Sequence, residues 1–262
     1  MRMGTFLTDL LFPPRCVSCR RFLKRSLLDS CETPFCEKCR LAWEKEKTEV
    51  CARCGSELLL CRCGSERMAE AGIEAVIKLV HYRRAKDSVG RRIILYLKTR
   101  RNKRAFRFLA TQLSYPLRKV MEERFLKPEN VCLCFVPRSF HSEDAYGLDQ
   151  ANLLCCALGN HMGIRALPLF YRIARDNKEQ KNLSAAERRK NARLQFAANE
   201  KLVKESLQNV KLVCIVDDVV TTGSSMAACA ACLQPFYKGA IVGVSIARSP
   251  LAREKSLAKK SG

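Results

Sequence analysis

Between residues 210 and 226 the chain reads VKLVCIVDDVVTTGSSM, and this order of residue types restricts the fold more than any other stretch. Leu212, Val213, Cys214, Ile215 and Val216 are apolar and uncharged, which predicts a strand buried on both faces of a parallel sheet. Two carboxylates, Asp217 and Asp218, follow at once. No apolar layer accepts them, so the strand is expected to deliver them to a crevice beyond its carboxyl end, where open α/β sheets take their ligands. Thr221, Thr222, Gly223, Ser224 and Ser225 come next and lead into an Ala-rich helical run over residues 226–233. Hydroxyl donors, a glycine that permits close backbone approach and the free N–H groups of a helix start make a cradle for a phosphate. The acids suit a hydroxyl-rich ligand.

The rest of the second half reads as an α/β alternation. Strands are expected over residues 75–82, 131–136, 166–170 and 240–247, with helical patterning at 93–113 and 150–158. Cys132, Cys134, Cys155, Cys156, Cys229 and Cys232 fall inside these runs and read as buried small apolar residues.

Nine of the 16 cysteines lie before residue 64, and eight of them form pairs: Cys16 with Cys19, Cys36 with Cys39, Cys51 with Cys54, and Cys61 with Cys63. Tetrahedral zinc takes four thiolates. Two structural sites follow, one from Cys16, Cys19, Cys36 and Cys39 and one from Cys51, Cys54, Cys61 and Cys63, with a cross-braced pairing as the alternative. Cys31 is left over, and Gly55 and Gly64 suit tight turns beside the sulfurs. All expected ligands are thiolates, so no position is left for a catalytic water. Residues 1–67 thus read as a small double zinc ribbon, 68–250 as the α/β domain and 251–262 as a basic flexible tail.

Net charge is the strongest bulk property, at +22 over 262 residues. It predicts attraction for polyanions. Arg91, Arg92, Lys98, Arg100, Arg101, Lys103, Arg104 and Arg107 lie opposite an apolar face of helical spacing, a basic stripe that suits the backbone of single-stranded nucleic acid or is simply solvated. No apolar run approaches the ~20 residues of a membrane span. Residues 6–12 lack the cleavage site of a signal peptide, so a cytoplasmic location is expected, in keeping with cysteines used for metal rather than disulfides.

The acid pair followed by Thr221-Thr222-Gly223 resembles the phosphoribosyl pyrophosphate (PRPP) motif of type I phosphoribosyltransferases. That resemblance implies that Asp217 and Asp218 hold ribose hydroxyls, that Thr221 to Ser225 hold the 5-phosphate, and that Mg2+ accompanies PRPP. Over nearly its whole length the chain also resembles the ComF family, a double zinc ribbon fused to a phosphoribosyltransferase-like domain and associated with uptake of transforming DNA as single strands. The residues that carry this are Leu11-Phe12-Pro13-Pro14 before Cys16, the four cysteine pairs, Leu97-Lys98, Val136-Pro137, Gly147 and Ala151, and the segment holding Arg175, Gln180, Leu183, Arg188, Asn191 and Phe196. The resemblance makes Arg175, Gln180, Arg188 and Asn191 contacts from a flexible loop. It makes Pro137, Arg138, Ser139, His141 and Tyr146 a pyrophosphate loop, and it implies single-stranded DNA and DNA-uptake proteins as partners.

Departures from the family pattern bear on turnover. Ser139 stands for a second Pro, Tyr146 for an Arg, and Leu148 and Asp149 for Phe and Asn, while Glu143 and Asp144 add negative charge beside the expected pyrophosphate. Thr221 stands where purine-specific relatives carry the Asp that acts on the base, so the loop lacks a general base. Three functions are open on these grounds: phosphoribosyl transfer, single-stranded DNA binding with a relic crevice, and sensing of PRPP without turnover.

Overall fold

The run of apolar residues before the acid pair lies at the centre of a five-stranded sheet and extends further than expected. In a computed structural model, which describes residues 13–23, 33–83, 85, 88–138, 148–173 and 195–250, strand β6 spans Leu212–Val220 and carries both acids within it. The other members are β1 (Ile73–His81), β2 (Val131–Phe135), β3 (Arg165–Leu167) and β7 (Ala240–Arg248), in the order β1-β7-β6-β2-β3, all parallel. Strand β6 continues past Val216 because β7 still runs beside it, pairing Asp217 with Ser245 and Val220 with Arg248. Backbone pairing is indifferent to side-chain polarity, so the apolar run marked only the part of the strand that precedes the acids.

Residues alternate between two layers. Leu212, Cys214 and Val216 pack under α3 (Val89–Thr99), α4 (Lys103–Glu123) and α5 (Gln150–Met162). Val213 and Ile215 face α2 (Glu66–Glu70), α6 (Glu200–Ser206) and α7 (Ser224–Leu233). The sheet is therefore parallel and covered on both faces, as such sheets require.

The strand expected at residues 166–170 is divided. Pro168 has no N–H to donate, and β3 ends before it. The chain then forms β4 (Phe170–Arg172), which pairs antiparallel with β5 (Phe196–Ala198) in a separate two-stranded sheet. Cys132, Cys134, Cys155 and Cys229 are buried as expected, whereas Cys156 is exposed on the outer side of α5 and Cys232 is half-buried.

The cysteine-rich segment docks onto the first layer rather than standing apart. Helix α1 (Glu37–Lys47) carries Trp43, fully buried, whose ring lies 5.7 Å from Phe35 and 6.2 Å from Phe108 of α4. Glu46 of the same helix caps α3, accepting from the N–H groups of Val89 (2.6 Å) and Gly90 (2.8 Å). An acid at a helix N-terminus meets both unsatisfied donors and the helix dipole. Among the described residues no helix is long and apolar enough to cross a membrane.

Candidate functional site

The strand order places the starts of the two expected ligand loops side by side. From β2 the chain moves outward to β3 and then returns to the other side of β2 as β6, so the sheet order reverses between these two strands. Loops leaving the carboxyl ends at such a switch point diverge and leave a crevice. Val136 N–H donates to the Val216 carbonyl at 3.0 Å, which brings Pro137 and Arg138 next to Asp217 and Asp218.

Asp217 and Asp218 are part-buried strand residues, not residues beyond the strand end. Asp217 Oδ1 accepts from the Asp218 N–H at 2.8 Å, and Asp218 Oδ1 accepts from the Val219 N–H at 2.7 Å. Burial pushes the Asp217 carboxyl well above the usual carboxylate range; the neighbouring Asp218 carboxylate adds to this, the Asp218 N–H opposes it, and Asp149 contributes a further upward push. Asp149 is the N-cap of α5, its side chain accepting from the Asn152 N–H at 3.0 Å. Asp149 is thus near enough to act on Asp217, and it is an acid that the spacing of the motif did not include. An Asp directly before a helical run is a legible cap signal, but nothing local says which strand end that cap approaches.

After β6, Thr221 and Thr222 are exposed, Gly223 caps α7 with φ +77°, and Ser224 opens the helix. The hydroxyls of Thr222 and Ser224 lie 2.8 Å apart. Above them sits α2: Ser65 Oγ donates to the Thr222 carbonyl at 3.0 Å, Arg67 Nη1 donates to Ser224 Oγ, and Met68 covers Gly223. A Cβ on Gly223 would stand 2.4 Å from Met68 Sδ. Replacing Gly223 with Ala adds this overlap to a left-handed backbone that costs an L-residue about 1–2 kcal/mol. The variant is expected to lose at least that in a urea titration; an unchanged midpoint would show that the loop relaxes freely.

Arg138, expected to face a pyrophosphate, donates to the Leu148 carbonyl through Nη1. Ser139, His141 and Tyr146, with Glu143 and Asp144, lie outside the described residues, as do Arg175, Gln180, Arg188, Asn191, Cys31 and residues 251–262.

Cysteines gather into two groups, Cys16, Cys19, Cys36 and Cys39, and Cys51, Cys54, Cys61 and Cys63, with the four sulfurs of each within 4.8 Å of one another. This is the sequential pairing; the cross-braced alternative does not occur. Metal–sulfur bonds of about 2.3 Å in a tetrahedron place sulfurs roughly 3.8 Å apart, so both groups can hold a metal ion such as zinc. Each first pair sits on the same turn. The residue after the second cysteine is left-handed in both, Gly55 at φ +71° and Arg20 at φ +66°. Gly64 has a different role from the expected turn: a Cβ there would meet Val76 Cγ2 at 2.9 Å, so it permits β1 to approach. Burial pushes the Cys39 and Cys63 thiols up to about 12, a push that a bound cation would offset.

Lys78 lies on β1 and is fully buried. Its Nζ donates to the Cys61 carbonyl (2.9 Å), Cys61 Sγ (3.0 Å) and the Cys63 carbonyl (3.2 Å). The sheet thus holds the second cysteine group by a buried ammonium.

The basic stripe is not one face. Helices α3 and α4 are separate, with Arg100 as the extended C-cap of the first and Asn102 as the N-cap of the second. Asn102 accepts from the Ala105 N–H at 3.0 Å, and this local cap competes with continued helix. Arg92 Nε donates to Ser18 Oγ at 2.7 Å. Arg100 and Arg104 join Arg15, Arg20 and Tyr96 around a cavity of about 480 Å3 between the first cysteine group and the helices. Arg101, Lys103 and Arg107 are exposed, and Arg91 and Lys98 are half-buried. No protein-family model matches this chain, and no curated protein matches it.

Proposed function

We propose that the crevice between the ends of β2 and β6 binds a phosphoribosyl ligand, PRPP in the first instance. The observation that supports it is the juxtaposition of an acid pair with a Thr-Thr-Gly-Ser-Ser helix start at the switch point of a parallel sheet. Asp217 and Asp218 are placed to accept ribose hydroxyl hydrogen bonds, while the hydroxyls and N–H groups from Thr221 to Ser225 take the 5-phosphate. Mg2+ accompanying PRPP would screen the diphosphate against the acids of the crevice. In a transfer reaction an acceptor nitrogen attacks the anomeric carbon as pyrophosphate leaves; in a sensor the same ligand binds without turnover. Calorimetric titration with PRPP, with and without Mg2+, tests the reading. Saturable binding supports it, and no heat with either overturns it.

We assign zinc to both cysteine groups, as structural ions. The order of parts resembles that of the ComF family, and on that resemblance we propose a role in handling incoming DNA.

A second reading, binding of single-stranded nucleic acid, is favoured by the convergence of Arg15, Arg20, Arg100 and Arg104 with Tyr96, since arginines and an aromatic ring suit phosphates and bases. Affinity for an oligonucleotide is then expected to fall steeply with salt. Replacing Arg100, Arg101 and Arg104 with Ala should reduce the logarithmic salt slope by about 2, at roughly 0.7 for each phosphate that is no longer neutralised. An unchanged slope would make these residues a solvated surface.

A further inference from the structure

The loop from Val219 to Ser225 contains no cation, and it follows two carboxylates. A phosphate dianion held there by hydroxyls and helix N–H groups alone would have the acids Asp218 and Asp149 in its surroundings and no cation of the loop to offset them. Its counter-charge must come from elsewhere in the chain.

We propose that Arg67 is that cation: a phosphate-binding residue supplied by the short helix that follows the second cysteine group. The inference rests on the phosphoribosyl reading of the crevice. Arg67 is 157 residues away from Ser224 in sequence, yet its Nη1 donates to Ser224 Oγ, the hydroxyl that also lies 2.8 Å from Thr222 Oγ1. Two polar groups thus converge on the first residue of α7. A guanidinium has five N–H donors in a planar fork, and Arg67 uses one of them on a neutral hydroxyl. Among the described residues no carboxylate pairs with Arg67, although Arg62, Arg83 and Arg124 each have one.

Its position is fixed on both sides. Ser65 Oγ holds the Thr222 carbonyl, and Met68, fully buried, lies against Gly223 and within 3.4 Å of where a Gly243 Cβ would stand. Upstream, Cys63 belongs to the second cysteine group, which Lys78 ties to β1. The backbone on either side of Arg67 therefore has little freedom, and its exposed side chain reaches the mouth of the cradle through the hydrogen bond to Ser224. Beneath the same layer, Ser245 pairs with Asp217 across the β6–β7 ladder; it is fully buried and its Oγ has no hydrogen-bond partner among the described residues. A buried hydroxyl without a protein partner beside the acid pair is a polar group left for an ordered water or a ligand.

The test is calorimetric titration of the full-length, metal-replete protein with ribose 5-phosphate and with PRPP plus Mg2+. Arg67→Gln is expected to weaken both ligands about tenfold, since both carry the 5-phosphate and a charge-assisted hydrogen bond is lost. Arg67→Lys, which keeps the charge but not the fork, should remain within about threefold of the parent by the same estimate. Melting temperatures should be unchanged for both. If Arg67→Gln binds like the parent, or if Gln and Lys weaken binding equally, Arg67 only props the loop and the proposal falls. Those results leave the crevice reading intact, provided that the parent binds and replacement of Asp217 and Asp218 abolishes binding. If the parent binds neither ligand, the crevice reading falls and this inference with it.

Discussion

Removal of metal is expected to unfold the cysteine-rich segment and to weaken the sheet beneath it. Two tetrathiolate groups should bind about two zinc ions per chain, and structural zinc contributes ~10–16 kcal/mol to small modules. The effect should not stop at the knuckles. Cys16 and Cys39 share a core cluster with Trp43, Ile77, Leu109 and Val244, so the segment and the sheet bury each other. Lys78 adds a second link, because a buried ammonium is tolerable only while its partners at Cys61 and Cys63 hold their places. Burial alone pushes the Lys78 ammonium toward the neutral form, and the Cys61 sulfur opposes that push. Cys51→Ser should therefore release one metal ion and lower stability by several kcal/mol, a loss visible as an early thermal transition. Cys132→Ala, in the core and far from either group, should retain both ions and lose only about 1–2 kcal/mol. Elemental analysis with thermal melts decides it. A folded preparation with no bound metal, or equal losses for the two variants, would overturn the assignment.

Changing both Asp217 and Asp218 to Asn is expected to separate binding from stability. Losing one hydrogen bond to a charged acceptor, as at Asp218, costs about 1.5–3 kcal/mol, so affinity for PRPP or ribose 5-phosphate should fall at least ~10-fold. Stability should move the other way. Burial, then the adjacent Asp218, holds the Asp217 carboxyl above its ordinary range, so ionising it in the folded state is unfavourable. Its folded-state pKa lies above the unfolded value, about 3.9. The stability contributed by the neutral carboxyl is thus fully present below the unfolded pKa and is lost as pH rises through the folded pKa. Asp217→Asn removes that loss. At neutral pH the single variant should be at least as stable as the parent, and its stability should depend less on pH from the acid range upward. Denaturant titrations across pH test the stability half and calorimetry the binding half. Unimpaired ligand binding by the double variant would remove the acids from the site; a variant less stable than the parent at neutral pH would show that the carboxylate is stabilising.

Local chemistry made much of this molecule legible. The strand at residues 212–216 and the sequential cysteine pairs both depend on neighbours a few residues apart, and each stands where the pattern put it. The Thr-Thr-Gly-Ser-Ser loop was equally readable. Its glycine has the left-handed φ that only a residue without Cβ adopts cheaply, and the helix begins directly after it.

Contacts between distant segments were not legible, because no local periodicity encodes which surface a side chain meets. The acids looked like the end of a strand, but β7 carries the pairing on to Val220. One basic stripe became two helices, with part of its charge turned toward the first cysteine group. Lys78 stands in an expected strand with nothing local to mark it, and the fold brings the carbonyls of Cys61 and Cys63 to its ammonium. Sequence alone determined the buried strand of a parallel sheet, the four cysteine pairs and the glycine-led helix start, since each follows from backbone geometry and residue spacing within short spans. Only the tertiary structure decided that Arg67 and Asp149 stand at the crevice, because both arrive through packing across long stretches of chain, where the free energy lies in the contact and leaves no mark on the residues around it.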